Sequence, residues 1–416
     1  MIIAQSVHSP AMFRIGELTA VELATQFGTP LYVYDAAVIR RQIANVKRAF
    51  ARLPLRPFYA MKANANLSIL RLIRGEGFGC DAVSPGEIYL AKRAGFESND
   101  IWFTCSNVSD DDLRAIADPG IVINVNSMSE IDRVIALDLP NRIALRVNPD
   151  VGAGHHHDVV TAGGGVKFGI DLAELPSARM VIEDSGRRIV GLHAHIGSGI
   201  DHIGPLIESA RRLLEAAAEF DHLRWINFGG GISVPYRPGE APFPIDEYGA
   251  ELTRVAEKLL RARDLHAIIE PGRYIVAQSG TLLARVTAMR VSAGHKWLGV
   301  DTGFNHLVRP SKYGAYHHIT NCDPQSDRSE DVVVAGNLCE SGDVFTRDSE
   351  GNVLTRHMER TNVGDLLAFH DAGAYGFSMA SHYNARLLPP EILVDGNEAR
   401  VIRERQELQD LVRGME

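Results

Sequence analysis

The stretch Pro57-Phe58-Tyr59-Ala60-Met61-Lys62-Ala63-Asn64-Ala65-Asn66 sets a lysine at the end of a short apolar run. Phe58–Met61, with Pro57 in front and Asn64 behind, reads as a buried strand ending at Lys62. An unpaired ammonium is expensive to bury, so a lysine at this position needs a reason. One reason is chemical: desolvation lowers the amine pKa and leaves a nucleophile able to form an imine with a carbonyl. The other is that the side chain snorkels from the strand end into water. The stretch alone leaves both open.

Working outward, the same pattern recurs from Pro57 to Arg273: a short apolar run, a turn, then a longer amphipathic segment. The runs are Phe58–Met61, Cys80–Val83, Ile101–Thr104, Ile121–Val125, Ile143–Val147, Ile189–His195, Trp225–Phe228 and Ala267–Ile269. Helical patterns such as Leu67–Gly75, Pro85–Ala94, Ser129–Ala136, Leu206–Phe220 and Ile245–Arg263 lie between them. Strands that alternate with helices pair in parallel through right-handed crossovers. Repeated along this stretch, such units predict an α/β fold, a closed (β/α)8 TIM barrel, with an open doubly wound sheet as the alternative. After Arg273 the texture changes. Gly280–Val291, Lys296–Asp301, Val332–Ala335, Asp365–His370 and Pro390–Val394 are β-rich runs separated by Gly, Pro and Asp, which predicts a mainly antiparallel β domain. The expected division is a barrel over 35–285, with 1–34 and 286–416 forming the β domain; Pro30–Tyr34 lends it a strand.

The chain has 416 residues, 45% hydrophobic and 23% charged, which is a soluble globular composition. A net charge of -9 argues against nucleic acid or an anionic membrane as a partner. Cys80, Cys105, Cys322 and Cys339 show no CxxC or metal-ligand spacing, so reduced thiols and no metal are expected. Met1–His8 lacks the basic start and apolar core of a signal peptide, and no apolar run spans a bilayer; the expectation is a cytoplasmic protein.

In a barrel, chemistry gathers at the C-terminal ends of the strands. Lys62 ends the first, Asp81 and Ser84 the second, and His193-Ala194-His195-Ile196-Gly197-Ser198 the sixth. The seventh runs into Gly229-Gly230-Gly231 and the eighth into Glu270-Pro271-Gly272-Arg273. Three glycines present successive N–H groups to a phosphate, or simply make a turn. Glu270 suits a proton on a heteroaromatic nitrogen, and Arg273 an anionic group; a surface pair is the plain reading. His193 and His195 share a strand face, where an imidazole packs on a ring or is only a satisfied core histidine. In the C-terminal part, Cys339 beside Glu340 offers a proton donor or a buried thiol, and Arg309 a carboxylate ligand or a solvated charge.

As an ordered set, FYAMKANAN, CDAVSPGEI, RVNPD, HAHIGSGI, NFGGGISVPY, EPGRYIVAQSG, FNHLVRPSKYGAYHHI, CESGDVF and DAGAYGFSMASHYNARLLPPEILVDG resemble the fold-type III pyridoxal-phosphate decarboxylases, the alanine-racemase-like barrel enzymes. Within that group the chain is similar to the branch that decarboxylates meso-diaminopimelate at its D-centre to L-lysine and carbon dioxide, the last step of lysine biosynthesis. The resemblance implies pyridoxal 5'-phosphate carried by Lys62, with His195 on the ring and Glu270 at the pyridine nitrogen. It implies that Asp81, Ser198, Gly229, Gly230, Gly231, Pro271, Gly272, Arg273 and Tyr375 complete the cofactor site. Substrate would be bound by Arg273, Arg309, Tyr313, Glu340 and Tyr375, and reprotonated by Cys339. Cys339 and Glu340 would enter from the neighbouring subunit, giving a homodimer with shared active sites. His306 stands where many relatives carry an acidic residue, and the run His155–His157 departs from the pattern; that run is also a conceivable fortuitous metal site. The rivals are a decarboxylase of ornithine, arginine, carboxynorspermidine or a siderophore intermediate, an amino-acid racemase, and a catalytically silent binding protein on the same fold.

Overall fold

The computed structural model describes residues 12–154, 161–163 and 167–415. Met1–His8 and the run at His155–His157 lie outside these residues. The chain divides into two compact units, one of 40–235 and 241–275, the other of the stretch through Ile39, Tyr236–Glu240 and the chain from Val276 onward.

The strand leading to Lys62 is Leu55–Ala60 (β1), longer at its start than the apolar run. It continues through Pro57, which pairs in register with Ile269; an extended backbone accommodates the fixed proline φ and loses one donor. Then come Gly79–Ala82 (β2), Ile101–Phe103 (β3), Val122–Val125 (β4), Arg142–Asn148 (β5), Ile189–His193 (β6), Trp225–Asn227 (β7) and His266–Ile269 (β8). Every neighbouring pair is parallel, and β8 returns to β1, so the sheet closes as an eight-stranded barrel. The intervening helices start where capping chemistry allows: Asn66 caps Leu67–Gly75, Ser84 caps Pro85–Ala94 and Ser127 caps Met128–Ala136.

Period two decides what the barrel encloses. Phe58, Trp102, Val122, Ala144 and Ile268 form an apolar plug, with Trp225 packed against it. The Phe58 and Trp102 rings meet edge to face at 6.0 Å. Gly79 and Gly191 leave room for them: a Cβ at Gly79 would come within 2.7 Å of the Phe58 ring. Two residues further along the same strands stand Asp81, Thr104, Asn124, Arg146, His193, Asn227 and Glu270, all buried. A polar layer thus lies directly on an apolar one.

The other unit is built on the long strand Gly280–Ser292. Its first half pairs antiparallel with Leu31–Asp35 and Leu366–Phe369, its second half with His295–Val300. Leu31–Asp35 also pairs in parallel with Glu391–Asp395. Leu23, Leu31, Val33, Leu283, Cys322 and Ile392 belong to its buried core. Among the described residues no helix is long and apolar enough to cross a membrane.

Candidate active site

Lys62 sits in the single turn Met61–Ala63 that follows β1, half-buried at the rim of the polar layer. It lines a cavity of about 240 Å3 together with Asp81, Arg146, His193, His195 and Glu270. Glu270, 6% exposed, has both oxygens engaged. Oε1 accepts from the Asn227 amide at 2.6 Å, and Oε2 faces His193 Nε2, whose N–H donates to it, at 3.2 Å. Burial pushes this carboxyl up, but its pairing with His193 and the hydrogen bond from Asn227 outweigh burial and hold it below the usual carboxylate range. Glu270 is therefore a carboxylate inside the barrel.

The neighbouring titratable groups are instead pushed toward their neutral forms. Burial lowers His193, and burial with the Lys62 and Arg146 charges holds His195 well below the imidazole range, so both rings are neutral at pH 7. Gly230 N–H donates to His195 Nδ1 at 3.2 Å, which leaves the ring hydrogen on Nε2. Burial, then repulsion from Glu270, pushes Asp81 well above the carboxylate range, against the pull of Lys62. Two carboxyls in one cavity are thereby driven apart.

The glycine turn after β7 is tied to the same network. Asn227 Oδ1 accepts from Gly229 N–H at 2.9 Å, and Gly229 O accepts from Glu270 N–H at 2.8 Å. Side chains do not fit there. A Cβ on Gly229 would lie 2.3 Å from the Ala194 carbonyl oxygen, one on Gly230 2.2 Å from that of Glu270, and Gly231 has a φ of +102°. Arg273 Nη2 donates to Ser198 Oγ at 2.9 Å. Pro271 and Gly272 are buried, and a Cβ on Gly272 would touch Ala60 at 3.0 Å.

Residues 36–277 match the family of pyridoxal-dependent decarboxylases, over their pyridoxal binding domain. The chain is 44% identical to the diaminopimelate decarboxylase of Methanothermobacter thermautotrophicus, over 96% of this chain and 94% of that one. It is 40% identical to that of Escherichia coli strain K12, over 95% and 96%. The solved diaminopimelate decarboxylase of Helicobacter pylori complexed with L-lysine superposes with a TM-score of 0.87 at 33% identity, covering 94% of this chain and 98% of that one. The chain belongs to the pyridoxal-dependent decarboxylases, in the diaminopimelate decarboxylase family.

Pyridoxal phosphate, the cofactor of this family, suits the residues present. A decarboxylase of this type needs a lysine, a carboxylate and an anion cradle around one cavity. Lys62 and Glu270 line one cavity, and the glycine turn is tied to Glu270 through the backbone, so a lysine, a carboxylate and a run of small residues are present to fit it. Asp81 Oδ1 and His193 Nδ1, buried in the same layer, have no hydrogen-bond partner among the described residues, which fits a polar occupant or water.

Other decarboxylase candidates lie in the second unit. Arg309 opens the short helix Arg309–Tyr313 and is 2% exposed. Its Nη1 donates to His317 Nε2 at 2.8 Å, and its guanidinium lies 4.7 Å from the Tyr236 ring centroid. His317 Nδ1–H donates to the His370 carbonyl at 2.8 Å, so one neutral tautomer serves both bonds. Tyr313 is half-buried on the same helix. Cys339 and Glu340 are exposed on one loop. Tyr375 is half-buried and holds a left-handed φ of 57°. The sequence reading does not single out Asn227 or Arg146. Arg146 is buried, with its guanidinium 4.4 Å from the Phe168 ring centroid and the Glu270 and Asp81 charges opposing the burial that pushes it down to about 10. The signal available for both was a polar residue in phase with the inner face of an apolar strand. Among the described residues no group of three or more His, Cys, Asp or Glu is placed to hold a metal ion.

Proposed function

We propose that the chain is a carboxy-lyase that uses pyridoxal phosphate to remove the carboxylate at the D-centre of meso-diaminopimelate, giving L-lysine and carbon dioxide. The observation that carries the reading is a buried, ionised Glu270 sharing one cavity with Lys62, in a chain whose relatives are diaminopimelate decarboxylases. When bound, the cofactor supplies a protonated pyridine that accepts the electrons left at Cα as carbon dioxide departs.

Each remaining task belongs to a residue. Lys62 would hold the cofactor aldehyde through its Nζ. Glu270, kept ionised by His193 and Asn227, retains the proton on the ring nitrogen. His195, neutral and fixed by Gly230, would pack against the cofactor ring. Asp81 completes the cofactor pocket beside Lys62, as do Pro271 and Gly272 at the close approach to Ala60. The N–H groups of Gly229–Gly231, with Ser198 and Arg273, hold the phosphate. Arg309, Tyr313 and Glu340 bind the distal L-centre, whose carboxylate and ammonium both survive the reaction. Tyr375 contacts cofactor and substrate, and the Cys339 thiol delivers a proton to Cα. Cys339 and Glu340 act in the site of a second copy, so the active form is a homodimer. Their exposure on this chain supports that arrangement. The compartment is the cytoplasm.

Turnover of meso-, LL- and DD-diaminopimelate, ornithine and lysine tests the substrate. The expected result is L-lysine and carbon dioxide from the meso form above all others. Release of carbon dioxide from ornithine without lysine formation from diaminopimelate overturns the reading and favours the diamine-forming alternative.

A further inference from the structure

Cys339 and Glu340 are exposed, yet the loop that carries them is gripped from a segment more than forty residues away in the same unit. Cys339 N–H donates to Asn384 Oδ1 at 2.7 Å. Arg386 Nη2 donates to the Asn337 carbonyl at 2.9 Å. From within the loop, the Asp343 carboxylate accepts from Leu338 N–H at 2.8 Å and Phe304 N–H at 2.7 Å. The Phe304 ring then stacks on Tyr383 at 5.4 Å.

The gripping segment is itself braced. Asn384 and Ala385 both hold a φ of 55°, a left-handed backbone that an alanine keeps only where its surroundings enforce it. Gln406 Oε1 accepts from His382 Nε2–H at 2.7 Å and from Leu388 N–H at 2.9 Å, tying the two ends together. His306 Nε2–H donates to the Leu387 carbonyl at 3.0 Å, while its Nδ1 accepts from the Thr302 hydroxyl at 2.9 Å. Burial pushes His306 down to about 4, so the neutral tautomer that makes both bonds persists at physiological pH. The histidine that departs from the family pattern thus has a bracing role.

We propose that Asn384 is a positioning residue for the decarboxylation: it fixes the backbone that carries the Cys339 thiol. This rests on Cys339 as proton donor. Displacing the thiol slows the protonation.

The test uses the full chain loaded with pyridoxal phosphate. Asn384→Ala is expected to lower kcat about 10–100-fold with KM within about threefold, the loss that an ångström of misplacement brings. Asn384→Asp keeps an acceptor oxygen and is expected to recover most of that loss. In a Cys339→Ala background, Asn384→Ala adds no further loss, which a merely structural defect would not reproduce. A wild-type kcat for Asn384→Ala, equal losses for Ala and Asp, or full additivity with Cys339→Ala overturns the proposal. An undiminished kcat for Cys339→Ala overturns instead the proton-donor reading beneath it.

Discussion

The polar layer of the barrel and the Cys339 loop of the β unit solve opposite problems. In the barrel, Glu270, His193, Asn227 and Gly229 are buried and bonded to one another, so charge is held in a low-dielectric place where it acts strongly. In the β unit, Cys339 and Glu340 face outward and only the backbone beneath them is fixed. Groups that must set the electronics of a cofactor are built into strand ends, where neighbouring strands lock them on all sides. The groups proposed to act in a second copy are carried on a braced loop, where reach matters more than desolvation.

Removing the amine should break the barrel half of this contrast most severely. Lys62→Ala is expected to lower kcat by at least about a thousand-fold and to abolish the borohydride-sensitive absorbance of the loaded enzyme. Full activity in that variant would falsify the assignment of Lys62. A smaller effect is expected from Glu270→Gln, which keeps the shape of the side chain and loses its charge: a kcat fall of about 100-fold, in line with the removal of one preorganised electrostatic group. In the β unit the expected effect falls on binding instead. Arg309→Ala should raise KM for diaminopimelate about 10–100-fold with kcat within about threefold, and Arg309→Lys should recover little, because a point charge does not reproduce the guanidinium fork held by His317. A kcat loss without a KM change would place Arg309 outside substrate recognition.

These two regions also differ in how far the sequence discloses them. The barrel is legible because each apolar run and its helix announce themselves locally, and Lys62, His195, Gly229–Gly231 and Glu270 are exceptions at run ends. Asn227, Arg146, Thr104 and Asn124 are not, because a polar residue inside a strand looks like ordinary alternation until closure shows that its face is the interior. In the β unit the decisive pairings are remote. Leu31–Asp35 lies between strands that follow it by more than two hundred residues, and Asn384 meets Cys339 across an interval that no periodicity spans. Where a grip is made by loops with no repeating pattern, only the folded chain reveals it.

The smallest expected effect compares a buried carboxyl with a half-buried one. Glu270 is held below the usual carboxylate range by its partners, so it stabilises the fold above the ordinary carboxylate pKa, and that contribution is lost as pH falls through the depressed value. Asp371 is the reverse. Burial pushes it up to about 7, with Arg309 opposing, and its backbone holds a left-handed φ of 57° that asparagine also tolerates. Between about pH 4 and pH 7 the folded chain keeps a proton that the unfolded chain has released, so stability declines as pH rises through that window. Asp371→Asn removes the titration without changing the shape. Its melting temperature should match the wild type at pH 4 and exceed it by about 2–5 °C at pH 8, corresponding to about 1–3 kcal/mol. Glu270→Gln should do the opposite, melting lower than wild type at pH 8. Equal melting shifts for Asp371→Asn at both pH values would show that its carboxyl titrates in the ordinary range, and that the β unit, like the barrel, keeps its acid ionised.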